Sequence, residues 1–150
     1  MGMDVYGISG NYFRNNCWWW RPLWDYCKDV NDHYKVNLKD DELYRAGHQN
    51  NGAGLGHKES KELANLLQNT IDNGQCERYI TARDRQLESI PDEPCIRCNN
   101  NNRGYNKKKD CNTCKGSGTQ ESWDKNYPLD VANVKEFIKF LKESDGFEIC

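Results

Sequence analysis

Two Cys-x-x-Cys pairs separated by twelve residues, Cys95 with Cys98 and Cys111 with Cys114, constrain this chain more than any other feature. Each pair offers two thiolates from one tight turn, and two such turns facing one another complete a tetrahedron of sulfur, the arrangement of a structural zinc site. All four positions are cysteine, which leaves no coordination position for water. The spacing therefore predicts one Zn2+ that holds structure rather than activating a hydroxide.

The second turn, Cys111-Asn112-Thr113-Cys114-Lys115-Gly116-Ser117-Gly118, is a C-x-x-C-x-G-x-G repeat. It resembles the zinc-binding repeats of DnaJ-type cysteine-rich domains, in which glycines after the second thiolate let the backbone fold back close to sulfur. The first turn, Cys95-Ile96-Arg97-Cys98-Asn99-Asn100, lacks both glycines, and the chain carries one pair of turns and no J-domain. The resemblance covers residues 95–118 and implies metal binding, not chaperone activity. Over the whole length, YFRNNCWWWRPLW, GHQNNGAGL and the closing cysteine turn look like a group of small proteins of bacteria and their phages. That resemblance implies a cytoplasmic, mobile-element setting in which small proteins bind host proteins, nucleic acids or signalling nucleotides. It implies no activity.

The remaining cysteines, Cys17, Cys27, Cys76 and Cys150, are scattered, which fits a reduced compartment with one metal site better than a disulfide framework. The first ten residues, MGMDVYGISG, lack the basic and apolar succession of a secretory leader, and no apolar run is long enough to span a bilayer, so a cytoplasmic location without membrane contact is expected. A net charge of -2 disfavours a nucleic-acid partner held through its phosphates. Within the cysteine segment, Arg97, Arg103, Lys107, Lys108, Lys109 and Lys115 outweigh Asp110 and a tetrathiolate zinc by about three charges. This modest basic tip reads first as a solvated loop and second as a surface for an acidic or phosphate-bearing partner.

At 150 residues the chain is expected to form a single domain, 1–150, with the zinc knuckle 95–118 inserted in it. Hydrophobic residues make up 36% and mean hydropathy is -1.04, so the five Trp, eight Tyr and four Phe must do most of the burial. Asp4 to Ile8 reads as a short strand. Pro22 fits either the first turn of a helix or the interior of a longer one that starts earlier. Residues 31–57 read mostly as an ordered loop with a short helix around Asp41 to Tyr44. Leu63, Leu66, Leu67 and Ile71 form a helical stripe ended by Asn73-Gly74, and Cys76 to Ile90 gives a second helix stopped by Pro91. Asp130 caps a last helix carrying Val131, Val134, Phe137, Ile138 and Leu141. The tail FEIC is expected to pair with the N-terminal strand. The fold class is thus α+β, a mainly helical body with a short terminal strand pair and an inserted four-cysteine knuckle.

Trp18, Trp19 and Trp20 cannot all face one core, because adjacent side chains diverge by about 100 or 180 degrees. Trp20 and Trp24 are expected in the core, leaving Trp18 or Trp19 at the surface or under the glycine-rich loop. Arg14 and Arg21 flank the tryptophans, and flat rings beside guanidinium groups suit a nucleotide-like or other anionic small molecule. The loop from Gly47 to His57 precedes a helix and supplies His48, Asn50 and Asn51 as further contacts. It has neither a G-x-x-x-x-G-K-[ST] motif nor a dinucleotide fingerprint. The ligand-binding set is therefore Arg14, Trp18, Trp19, Arg21, His48, Asn50 and Asn51, and no catalytic residue is assigned. The leading expectation is a non-enzymatic, zinc-containing binding protein for such a molecule, with signal sequestration as its use. The first alternative is a protein or nucleic-acid interaction module working through the basic tip. The second is a hydrolase dependent on His48 or His57.

Overall fold

Alternation of apolar and polar residues builds the sheet. The structure, a computed structural model, describes residues 2–34, 41–99 and 111–150. Strand β1 (Gly2–Gly7) turns back into β2 (Tyr12–Asn16), pairing Asp4 with Arg14 and Tyr6 with Tyr12. β3 is Ala53–Leu55, and the tail forms β6, Phe147–Ile149. These four strands make an antiparallel sheet in the order β2-β1-β6-β3. Val5 faces Ile149 across β1 and β6, so the expected terminal strand pair forms. The period of two sends Met3, Val5, Phe13, Leu55, Phe147 and Ile149 to one buried face and leaves Tyr6, Tyr12 and Arg14 outside.

Helix α1 (Cys17–Tyr34) contains Pro22, so the longer of the two helical readings is the one adopted. Asn16 caps it, its side chain accepting from the backbone N–H of Trp18 and Trp19 at 3.1 Å each. Pro22, sixth in the helix, removes one early backbone hydrogen bond and leaves the rest of the ladder intact. α2 is Asp41–Ala46, α3 is His57–Asp72 and α4 is Gln75–Ser89. Asn73 and Gly74 close α3 through backbone bonds to Asn69 and Ile71, and the Asn73 side chain accepts from the N–H of Gln75 to start α4. Further on come β4 (Glu93–Pro94), α5 (Ile96–Asn99), β5 (Thr119–Gln120) and a 3-10 turn, Trp123–Asn126. α6 is Val131–Glu143, capped by the Asp130 side chain on the N–H of Asn133 at 2.7 Å.

The chain divides into two compact units, residues 83–126 and the remainder, with the boundary inside α4. The larger unit holds the aromatic core. Trp20 stacks on Trp24 at 5.6 Å and meets the edge of Phe137, which in turn packs on Phe13, Phe140 and Phe147. Leu63, Ala64 and Leu67 of α3 and Val134, Ile138 and Leu141 of α6 complete it. Trp20 and Trp24 are buried as expected, while Trp18 and Trp19 are partly exposed.

Strands β2 and β3 were not legible as strands. Tyr12–Asn16 is hidden by the helical spacing of the tryptophans that follow it, and Ala53–Leu55 by its glycines. Gly54 in β3 lies so close to β6 that a Cβ there would stand 1.7 Å from the carbonyl oxygen of Phe147. That neighbour is backbone and has no rotamer through which to withdraw. Gly54→Ala should therefore lower stability by about 1–3 kcal/mol, as overpacking does, read as an earlier urea midpoint at unchanged slope.

Candidate metal centre

The smaller unit, residues 83–126, has no hydrophobic core of the ordinary kind. Among its described residues the only buried apolar side chains are Cys95, Cys111 and Cys114, with Cys98 packed against them and partly exposed. A two-stranded ribbon positions them. β4 pairs with β5 in the register Glu93 to Gln120 and Pro94 to Thr119, and the N–H of Cys95 continues the ladder to the carbonyl of Gly118 at 2.9 Å. The first cysteine turn thus leaves one strand at the point where the second turn enters the other. Ser122 locks the base of the ribbon by donating to the Glu93 carboxylate at 2.7 Å.

The second turn is shaped by the residues after Cys114. Lys115, Gly116 and Gly118 all have positive φ, at 49, 97 and 79 degrees. Two of these three left-handed positions are glycine, which accounts for the C-x-G-x-G part of the motif. Lys115 N–H closes onto the carbonyl of Cys111 at 2.8 Å, and Ser117 N–H and hydroxyl both reach the carbonyl of Cys114 at 2.9 Å. The first turn needs no such glycines because Ile96–Asn99 is a single helical turn.

All four sulfurs lie within 4.8 Å of one another, a group that can hold a metal ion. Between the turns the sulfurs of Cys95 and Cys111 are 3.8 Å apart and those of Cys98 and Cys114 3.5 Å apart. A tetrahedron of sulfurs about 2.3 Å from a central ion has edges of about 3.8 Å, so these spacings need little adjustment. None of the eight cysteines is in a disulfide. Backbone N–H groups of Cys114 and Thr113 favour thiolate at Cys111, whose pKa is lowered to about 6. Burial opposes ionisation of Cys114, but the N–H groups of Gly118 and Gly116 overcome it and the net shift is downward. Cys98 is pushed up to about 12, first by its hydrogen bonds to Cys111 and Cys114. Donors aimed at sulfur are what a thiolate cluster requires around a cation.

Five of the seven residues expected to bind a ligand fall into three local groups. In the first, Arg14 pairs with Asp4 at 3.5 Å and its guanidinium lies against Gly2, whose carbonyl accepts from the Asn50 side chain at 3.2 Å. Arg14 and Asn50 are both exposed. In the second, Trp18 packs on Tyr127 at 4.9 Å, and Arg21 lies over the same ring while donating to its hydroxyl at 3.0 Å. In the third, Asp25 accepts from the Tyr44 hydroxyl at 2.7 Å and lies 3.2 Å from His48 Nε2. His48 Nδ1 is buried and has no hydrogen-bond partner among the described residues. Burial and the Asp25 carboxylate push the Tyr44 hydroxyl up to about 12. Asn51 donates to Gln49, Trp19 is partly exposed, and His57 pairs with Asp145 at 3.0 Å. Asp25, Tyr44 and Tyr127 are the partners that the sequence left unnamed. Tyr127 is 106 residues from Arg21, and no local pattern signals such a pairing.

The glycine loop meets the aromatic segment through Trp20 and Trp24 rather than Trp18 or Trp19. Trp20 Nε1 donates to the carbonyl of Gly47 at 2.7 Å, and Trp24 Nε1 donates to that of Tyr44 at 3.0 Å. A Cβ on Gly47 would fall 2.3 Å from the Trp24 indole nitrogen, so this glycine serves close packing. Arg103, Tyr105 and Lys107 to Lys109, the expected basic tip, lie outside the described residues. No helix among the described residues is long and apolar enough to cross a membrane. Comparison of the chain with protein-family models, curated proteins and solved structures finds no match.

The remaining cysteines differ sharply in access. Cys27 is buried on α1 and its thiol is held far above the ordinary range by loss of solvent, with Cys76 shifted the same way, whereas Cys150 is exposed and Cys17 partly so. In native protein iodoacetamide should therefore label Cys150 and Cys17 and spare Cys27 and Cys76 until denaturant is added, as peptide mass mapping would show.

Proposed function

We propose that this protein is a non-enzymatic binding protein in which one structural zinc ion holds residues 83–126. The observation that carries the reading is the identity of that unit's buried apolar groups, which among the described residues are cysteines whose sulfurs lie within 4.8 Å of one another. A unit of this size without an apolar core needs a staple, and a structural zinc site supplies about 10–16 kcal/mol of binding energy that is folding energy. Four thiolates fill the coordination sphere and leave no place for a reacting water, so the ion braces and does not catalyse.

The ligand class is an anionic small molecule, nucleotides included. Arg14 and Asn50 support this choice, since both are exposed, both lie beside Gly2, and a guanidinium and an amide suit a phosphate or carboxylate. A nucleic-acid partner has less support. Residues 83–126 carry nine Arg and Lys against seven Asp and Glu, and a zinc tetrathiolate cancels the remaining two charges. A His48 hydrolase also has little support, since Nε2 faces Asp25 and Nδ1 is closed off from solvent.

Elemental analysis of freshly purified protein should give one zinc per chain. Cys114→Ser should lose it, and chelation should make trypsin cut first at Arg85, Arg97, Lys115 or Lys125 while the larger unit persists. Iron in place of zinc, or a chain resistant to trypsin without metal, would refute the brace. In native mass spectrometry a retained anion should dissociate on unfolding, and Arg14→Ala should weaken its binding by about tenfold, the loss of one charge-assisted hydrogen bond.

A further inference from the structure

The four sulfurs are not equally reachable, and two of their close contacts run between the turns. Cys95 is fully buried and Cys111 and Cys114 nearly so, while Cys98 is partly exposed. The sulfur of Cys98 lies 3.5 Å from that of Cys114, on the opposite turn. We propose that the cluster is also an oxidative modification site for hydrogen peroxide, at which Cys98 reacts first and Cys114 closes the product into a disulfide between the two turns, releasing the metal. The proposal rests on the zinc reading, because the sulfurs it oxidises are the four assigned to the ion.

The chemistry balances with peroxide as the only oxidant. The Cys98 thiolate attacks one peroxide oxygen, the O–O bond breaks, and the departing hydroxide takes a proton to become water. This two-electron step leaves Cys98 as a sulfenic acid. The Cys114 thiolate then attacks the Cys98 sulfur, the S–O bond breaks, and a second hydroxide leaves as water. Two thiolates, one peroxide and two protons have become one disulfide and two waters. Forming the bond draws the sulfurs from 3.5 Å to about 2.05 Å. The metal loses two of its four ligands at once. A dithiol reductant opens the disulfide again by thiol exchange.

The connectivity matters as much as the release. A disulfide within either C-x-x-C turn would leave the turns free to separate once metal is gone. The link from Cys98 to Cys114 instead joins the first turn to the second, so an oxidised chain keeps the turns together without an ion. The oxidised form is thus a second, metal-free state of the same unit.

The test uses full-length protein carrying Cys17→Ser and Cys150→Ser, which removes the accessible thiols of the larger unit and leaves six cysteines of the original eight. Zinc is measured first, then one equivalent of hydrogen peroxide is added while a chromogenic chelator reads metal release. Free thiols are alkylated and trypsin peptides mapped. Cleavage after Arg97 separates Cys95 from Cys98, and fragment ions distinguish Cys111 from Cys114. The expected result is one zinc released per disulfide, with the first link joining the peptide that begins at Cys98 to Cys114, and recovery with dithiothreitol and added zinc. Retained zinc, a stable sulfenic or sulfinic acid at Cys98, or first links within Cys95–Cys98 or Cys111–Cys114 would overturn this proposal alone. Protein that holds no zinc before peroxide is added would overturn the zinc reading and this proposal together.

Discussion

Among the described residues of the smaller unit the buried apolar side chains are cysteines whose sulfurs lie within 4.8 Å of one another, and the metal ion proposed for them supplies the attraction that its short elements lack. Its β4–β5 ribbon has two residues per strand, and its helical pieces are the end of α4, a single turn at Ile96–Asn99 and a 3-10 turn. Isolated two-stranded ribbons and single turns are marginal in water. Ion pairs such as Lys125 with Asp92 and Glu121, at 3.9 and 3.8 Å, are exposed at the carboxylate end and contribute little each. The sulfurs are different in kind: backbone N–H groups of Cys114 and Thr113 face Cys111 and those of Gly118 and Gly116 face Cys114, the support that thiolate ligands of a metal need. The left-handed backbone at Lys115, Gly116 and Gly118 is the local cost of directing those N–H groups inward.

The larger unit solves its own problem by a different route. Its composition is polar, so a few large rings carry the burial and each must also place a polar atom. Trp20 and Trp24 do both, filling the core with their rings while their indole N–H groups hold the carbonyls of Gly47 and Tyr44. Those two bonds tie α2 and the glycine-rich loop to α1 over separations of 27 and 20 residues. Tyr26 follows the same rule, its ring buried and its hydroxyl bonded to Thr70 at 2.7 Å. An unpaired buried N–H or O–H would cost about 1–3 kcal/mol, so the aromatic core and the loop geometry are one constraint rather than two.

How much of this could be read from the sequence varies with the range of the signal. The stripe from Leu63 to Ile71, the Asn73-Gly74 stop and the Asp130 cap are local, and the structure realises them as read. The four-cysteine group was legible because thiolate chemistry fixes both spacing and residue type. β2 and β3 were missed because Tyr12–Asn16 runs straight into α1 with no turn signal and Ala53–Leu55 is short and glycine-bearing. The glycines of the loop suggested anion binding, yet Gly47 and Gly54 are explained by the close approach of Trp24 and of the β6 backbone. A glycine reports that something comes near; it does not say whether that neighbour is a ligand or the chain itself.

The same ambiguity separates the charged residues. Arg21 and His48 looked available in sequence, but Arg21 is taken by Tyr127 and His48 by Asp25 with Tyr44. Such pairings depend on which helix faces meet, information that periodicity within one segment does not contain. Arg14 stays exposed because strand alternation puts it on the outer face beside Tyr12, opposite Asp4. Its register is fixed by Phe13, since shifting β2 by one residue would exchange a buried phenylalanine for an exposed arginine. The exposure of Arg14 is therefore a consequence of core packing, and the same phenylalanine that anchors the strand determines what the surface offers.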